Sequence, residues 1–505
     1  MGIRRWAVLA GAAGLWAGLG AAAAAQEPDR AWMSAPRDWS ATLAADVEAV
    51  ARALEDTHPG MYDPRNPAFR PQAEAMLAQA RARAQDTTDA GGWWWALRGL
   101  VAGFDDGHVQ IGLVPSGGMP SRWPGFLTVY RGADQIVASR DAADETAPPL
   151  GARLIACDGV AADALAEQRV GTFRGRWFLE AQRVQLGDWV FMNATNPWIA
   201  EMSACSWDVD GLARTYPLTW RDIPAADLAA RRSALAAGAP GDFGLKRLDD
   251  GGYWLSMPSF NGDPDSDAYR ALTDLLGEAG RRQDELRAAP YLVLDVRGNG
   301  GGSSRWSYDL ARILWGEAWL AARPMAPIES VDWRASEGNI AMIQGFRDQL
   351  AAAEGDPSVI AWADEAIAGM RMAMAAGEPL WRDMAAPAGS AETGPAPEPG
   401  RLPGGPVYVL TDASCASACL DAVDLWKTLD AVQVGRETSA DTLYMELRQI
   451  DLPSGLARVW LPMKVYRGRA RGNNEPQRPV HLFAGDMADE AALHAWIRAL
   501  AAGGA

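Results

Sequence analysis

YLVLDVRGNGGGS, residues 291–303, is the stretch that decides the fold. Tyr291, Leu292, Val293 and Leu294 form a continuous apolar run that stops at Asp295, which reads as a strand buried on both faces. Four glycines then fall within five residues, more than a tight turn needs. Behind them Trp306, Leu310, Ile313 and Leu314 recur at helical spacing. Outward from this unit, residues 253–257 read as a strand and 269–286 as a helix. Residues 407–411 form another buried strand, and Ala418, Ala422, Leu425 and Leu429 make the next helical stripe. Strands alternating with helices imply an α/β core with crossover connections. A glycine run that exposes N–H groups at a helix start makes an anion or oxyanion site. It is neither a Rossmann loop, since Ser303 stands where the last glycine belongs, nor a P-loop, since no Lys follows.

VYVLTDASCASACLDAV, residues 407–423, repeats the strand, small-residue turn and helix. Ser417 falls at the helix start, where its hydroxyl can be presented and the following N–H groups can hold negative charge. Ser414 is the expected N-cap and Cys415 the competing nucleophile. A base for a serine comes from a short set, since the chain has only His58, His108, His481 and His494. His108, in FDDGHVQ (104–110), lies in a polar glycine loop leading into an apolar strand and is the best placed.

The chain has 505 residues, about three folded units at roughly 150 residues each. Hydrophobic residues make up 49%, enough for a core, so wholesale disorder is excluded. A net charge of −17 repels phosphate backbones and argues against nucleic acid as a partner. Residues 1–25 read as a cleaved secretory signal: Arg4 and Arg5, an Ala/Gly/Leu/Trp stretch, then Ala23 and Ala25 before Gln26. That places the mature protein in the periplasm or outside the cell, with no stable membrane anchor. Cys157, Cys205, Cys415 and Cys419 can pair there in three ways or stay as buried thiols; the sequence leaves this open.

A helical domain is expected over 26–118. It has a helix capped by Asp38 or Ser40, one over 72–85, and one from Asp89 carrying Trp93, Trp94 and Trp95 as core. Short apolar runs at 126–130, 136–138 and 153–157 make a small β module over 119–172. Residues 173–250 carry only β-like pieces near 189–192 and 215–220. The core, 251–505, holds an insertion at 318–406 with a Met-rich helix (Met370, Met372, Met374, expected as core filling) and a Pro/Gly/Ala linker over 387–406.

Together these segments resemble peptidase family S41, the tail-specific or carboxy-terminal processing serine peptidases. DVRGNGGG resembles the family's D-[LV]-R-x-N-x-G-G block, LTDASCASACLDA its nucleophile block, VGRET (434–438) the element that follows, and DGH (106–108) its amino-terminal element. NNEPQRPV (473–480) resembles the closing stretch more loosely. The resemblance implies a ClpP/crotonase-like β-α-β core and a serine endopeptidase acting on polypeptide. Ser417 would be the nucleophile, with an oxyanion hole from the amides of Ala418 and of Gly300 or Gly301. The Lys-using branch is disfavoured, because Asp441 stands at the Lys position. In the His-using, tricorn-like branch His108 is the base and Glu475 supports it. Gly107 replaces that branch's supporting Ser, and Cys419 or Leu420 stands where the family's nucleophile block usually has Glu. LGARLIACDG (150–159) resembles a PDZ hairpin, making the β module PDZ-like. No metal or organic cofactor is implied, and an oligomer is possible. A catalytically inactive peptide-binding scaffold, and an esterase or amidase on small acyl substrates, are the alternatives.

Overall fold

The structure, a computed structural model, describes residues 30–235, 242–325, 328–353, 355–384 and 403–503. The signal segment and most of the 387–406 linker lie outside the described residues. Among the described residues no helix is long and apolar enough to cross a membrane.

The α/β core is a six-stranded sheet in the order Gly244–Arg247, Tyr253–Ser256, Leu292–Asp295, Val407–Thr411, Val432–Gly435, His481–Leu482. Only the first pair is antiparallel. Each face of this sheet is covered, as a parallel sheet requires. Helices Asp267–Arg281, Arg305–Leu314 and Ala418–Thr428 pack Leu272, Leu310 and Trp426 on one face. The carboxy-terminal helix Glu490–Ala501 packs Leu493 and Ile497 on the other. The helix expected over 269–286 is two helices, broken at Arg282.

The amino-terminal helices run Trp39–Thr57, Phe69–Gln85 and Ala90–Ala102, with Asp38 and Asp89 accepting the first-turn N–H groups. Trp93, Trp94 and Trp95 are all buried. This unit does not stand apart from the core. The strand Gln110–Leu113 that leaves it pairs with Ala457–Arg467, which also pairs with Tyr444–Asp451 and with Ser330–Arg334 of the insertion. The insertion is therefore woven into the molecule through its own sheet. Of its methionines Met370 is buried, Met374 is packed against the core, and Met372 is 67% exposed, so core filling does not hold for Met372.

The β module reaches well past residue 172. Its sheet runs Phe126–Arg131, Asp134–Arg140, Arg153–Cys157, Ala204–Val209, Leu212–Pro217. The last two strands come from the stretch with no clear pattern, and a Cys157–Cys205 disulfide joins neighbouring strands. The expected β piece near 189–192 is instead the short helix Gly187–Phe191. Asp158 and Gly159, both at positive φ, turn the hairpin after Arg153–Cys157.

His58 ends the first helix. It is fully buried against Phe69 and Tyr444, and its Nδ1 accepts the Gly60 N–H at 2.9 Å. Burial pulls its pKa from 6.5 down to about 4 despite the charges of Asp106 and Asp63. The folded state thus prefers the neutral ring. Its contribution to stability is complete above pH 6.5 and is lost as pH falls towards 4, worth about 3 kcal/mol. Chemical denaturation across this window should show that slope in the wild type, and His58→Asn should flatten it.

Candidate active site

Strands Leu292–Asp295 and Val407–Thr411 are parallel neighbours, with Asp295 opposite Leu410. Both chemistry-bearing loops therefore leave the same edge of the sheet, where α/β proteins place their sites. Asp412, buried, joins them: its carboxylate accepts the N–H groups of Gly298 (3.1 Å) and Ser414 (2.9 Å). Burial pushes its pKa up to about 6. Asn299, fully buried, adds a second tie. Its side chain donates to Met257 O (2.8 Å) and accepts from Gly301 N–H (2.9 Å), and its carbonyl accepts the Ala416 N–H (3.2 Å). Arg297 anchors the loop from behind through Asp295 (2.7 Å) and Glu490 (2.6 Å).

Ser417 occupies the N-cap position of helix Ala418–Thr428 at φ 53° and ψ −121°, yet its side chain does not cap. Ser414 does not cap either. Ser417 is exposed, and among the described residues its hydroxyl makes no hydrogen bond. A serine held in strained backbone at a strand-to-helix turn, with its hydroxyl uncommitted, has the geometry of a presented nucleophile. Cys415 no longer competes, since it is buried and bonded to Cys419.

Gly301 lies against this serine at φ 99°. A Cβ there would meet Ala416 O at 2.6 Å, Ser417 Cβ at 2.8 Å and Ala418 N at 2.9 Å. Only glycine fits. Its own N–H, however, is given to Asn299. Of the three amides expected in the oxyanion hole, Gly301 is therefore a spacer, and those of Gly300 and Ala418 remain uncommitted among the described residues.

His108 sits in a loop tied down on three sides. Its N–H donates to Asp106 Oδ1 (2.7 Å), and its Nδ1, buried and without a hydrogen bond, is 3.6 Å from the same oxygen. Asp106 Oδ2 accepts from Thr442 Oγ1 (2.9 Å). Burial raises the Asp106 pKa, but the adjoining His108 outweighs it and leaves the carboxyl below its ordinary value. Arg176 covers Gly107: a Cβ at 107 would lie 2.9 Å from its Nη2. Its backbone N–H reaches Asp105 Oδ1 (2.9 Å) and its Nη1 reaches Ala440 O (2.7 Å). Ser439 N–H in turn donates to Cys415 O (3.0 Å), so the His108 loop and the nucleophile turn are bound to one connecting segment. No hydrogen bond joins Ser417 to His108.

Glu475 is exposed and accepts from Gly472 N–H (2.8 Å); nothing links its carboxylate to His108 among the described residues. Its neighbour Asn474 does reach the His108 loop, donating to Asp105 O (2.7 Å) and, through its N–H, to Asp441 O (2.8 Å). The carboxylate beside His108 is Asp106. Asp441, at the Lys position of the other branch, is buried between Arg469 and Arg471. Leu420 is core, and Cys419 is in the disulfide. His481 lies on the last strand, and His494 packs on Trp254 beside Glu490. Nothing in the sequence marks Arg176, which belongs to the patternless stretch, and Asp106 and Thr442 enter it only as parts of motifs.

Two experiments follow. Gly301→Ala should leave far-ultraviolet circular dichroism intact while lowering kcat by on the order of a hundredfold, the scale of a displaced oxyanion contact. Removing Cys157–Cys205, which spans 48 residues, should cost roughly 4 kcal/mol in denaturation, against roughly 2 kcal/mol for Cys415–Cys419, which spans 4. Activity should reverse that order, because the shorter bridge brackets Ser417.

Residues 252–468 match the model of peptidase family S41. Among solved structures, mature CPAF is 14% identical, with 92% of this chain and 98% of that one covered and a TM-score of 0.59. Mature CPAF complexed with lactacystin is similar at 14% identity, 92% and 99% coverage and a TM-score of 0.60. At that identity the likeness speaks to fold. No curated protein matches the sequence. The glycine loop and the nucleophile turn both lie inside the matched segment: residues 252–468 carry the peptidase family S41 pattern, and the chain is a serine-type peptidase.

Proposed function

We propose that the chain is an exported serine endopeptidase in which Ser417 is the nucleophile and His108 the general base. The observation that carries this reading is the uncommitted hydroxyl of Ser417, held in strained backbone beside two free amides. Ser417 Oγ attacks a peptide carbonyl carbon while His108 takes its proton. The carbonyl oxygen gathers negative charge against the N–H groups of Ala418 and Gly300. Collapse breaks the C–N bond, and protonated His108 gives its proton to the leaving amine. Water then attacks the acyl-enzyme with His108 again as base, releasing the acid and restoring Ser417. Asp106 supports the imidazole from its Nδ1 side, and Glu475 acts from the loop that Asn474 ties to Asp105. The missing Ser–His hydrogen bond has precedent, since apo sites often tighten only when substrate binds.

Export rests on the 1–25 signal pattern and is supported by the pairing of every cysteine, which suits an oxidising compartment. The PDZ-like reading of the β module draws support from its exposed edge strand Leu212–Pro217, to which an extended peptide can add.

A fluorophosphonate probe should label the wild type and leave Ser417→Ala unlabelled. Peptide hydrolysis should fall by at least about 10⁴-fold in Ser417→Ala and about 10³-fold in His108→Ala. Labelling of Ser417→Ala, or a His108→Ala enzyme that cuts at the wild-type rate, would refute the assignment.

A further inference from the structure

One half-buried arginine lies against the backbone of the His108 loop and not against a carboxylate. Gly175 and Arg176 follow one another at φ 74° and 52°, and this turn sends the Arg176 side chain back over that loop. A Cβ at 175 would meet Ala102 O at 2.8 Å, so the first position of the turn takes only glycine. Arg176 itself is a long side chain in the left-handed region, a costly conformation that persists where the surroundings over-determine it. A second such residue faces it: Asp105, at φ 50°, accepts the Arg176 N–H at 2.9 Å.

A Cβ built on Gly107 would lie 2.9 Å from Arg176 Nη2, 3.0 Å from Cζ and 3.0 Å from Nη1. Near-equal distances to the three atoms put the flat face of the guanidinium over Gly107. Nη1 donates to Ala440 O (2.7 Å), and among the described residues the guanidinium forms no ion pair. Burial lowers the Arg176 pKa, and the charges of Asp106, Asp441 and Asp105 offset only part of that. Each of the three is committed elsewhere. Asp106 serves His108 and Thr442, Asp441 serves Arg469 and Arg471, and Asp105 takes the backbone N–H. A cation drawn from water without a paired carboxylate costs stability, so packing alone is a poor account of this arrangement.

The contact does join the two halves of the site. On one side the guanidinium rests on Gly107, the neighbour of His108. On the other it holds Ala440, whose neighbour Ser439 donates to Cys415 O (3.0 Å), two residues before Ser417. The segment that bears Arg176 is fastened to the nucleophile side as well. Glu180 pairs with Arg436, and Gln185 donates to Ala413 O (2.8 Å). The Thr442–Asp106 hydrogen bond is a parallel tie, but it fixes a carboxylate and not the chain at 107. We propose that Arg176 is a positioning residue of the peptidase reaction, holding the His108 loop at its working distance from the Ser417 turn. The proposal rests on His108 being the base for Ser417. A misplacement of about 1 Å between such groups costs about a hundredfold in rate.

The test follows labelling of Ser417 by a fluorophosphonate probe on the full mature chain, as a maximal rate and a half-saturating concentration. Arg176→Met should lower the maximal rate by about 10- to 100-fold and leave the half-saturating concentration within about twofold. Arg176→Lys keeps the charge and a donor for Ala440 O and should recover part of the loss. Gly107 is outside the left-handed region, so alanine suits its backbone, and Gly107→Ala should slow labelling by displacing the guanidinium. In the Arg176→Met background it should cost nothing more. Arg176→Met should likewise cost less than about twofold once His108→Ala has removed the base. Chemical denaturation of each variant keeps loss of fold apart from loss of rate, and Gly107→Ala carries the test if Arg176→Met does not fold. A wild-type labelling rate in Arg176→Met or Gly107→Ala, or a loss that multiplies with that of His108→Ala, would overturn the proposal while leaving His108 as base. A His108→Ala protein that labels at the wild-type rate removes the base assignment itself, and this proposal with it.

Discussion

One buried carboxylate holds the two working loops in register. Asp412 accepts an N–H from the glycine loop and another from the nucleophile turn. Neither loop has regular structure of its own to fix that relation. Burial works against the arrangement, since it raises the energy of the charged form and lifts the pKa to about 6. The charged form is nonetheless the better acceptor for two amides. The position of Gly301 against Ser417, and of the Ala418 amide beside them, depends on this tie and on Asn299.

The amino-terminal part is joined to this centre by hydrogen bonds between distant segments. Asp106 meets Thr442, Arg176 meets Ala440, and Asn474 meets Asp105. Gly107 departs from the family pattern by lacking a side chain. The space is filled from 69 residues downstream by the Arg176 guanidinium, which touches Gly107 and reaches across to the connecting segment. A departure read along the chain as a gap is, in three dimensions, space filled by a distant side chain.

The Cys415–Cys419 bridge constrains Ser417 from both sides. Cys415, Ala418 and Cys419 around it are buried, and the serine itself is exposed in a backbone conformation that L-residues rarely adopt. Strain of this kind persists when the surroundings over-determine it. Here the disulfide, the Ser439–Cys415 hydrogen bond and the packed helix Ala418–Thr428 do so together.

The α/β core is legible along the chain, because apolar runs ending in Asp or Gly, followed by 3.6-residue stripes, are local signals of buried strands and covering helices. The chain also marks Ser417 and the glycine loop as candidates, since a strand-to-helix turn and its amides are contiguous in sequence. Which amides stay uncommitted, which cysteines pair, and that Asp106 rather than Glu475 stands beside His108 emerge only in three dimensions. The fold alone shows that strands Ala204–Val209 and Leu212–Pro217 complete the β module, and that Arg176 covers Gly107. The physical reason is range. Periodicity and turn chemistry act over a few residues. Hydrogen bonds such as Thr442 to Asp106 and Arg176 to Ala440 join segments hundreds of residues apart, or stretches with no periodic pattern of their own.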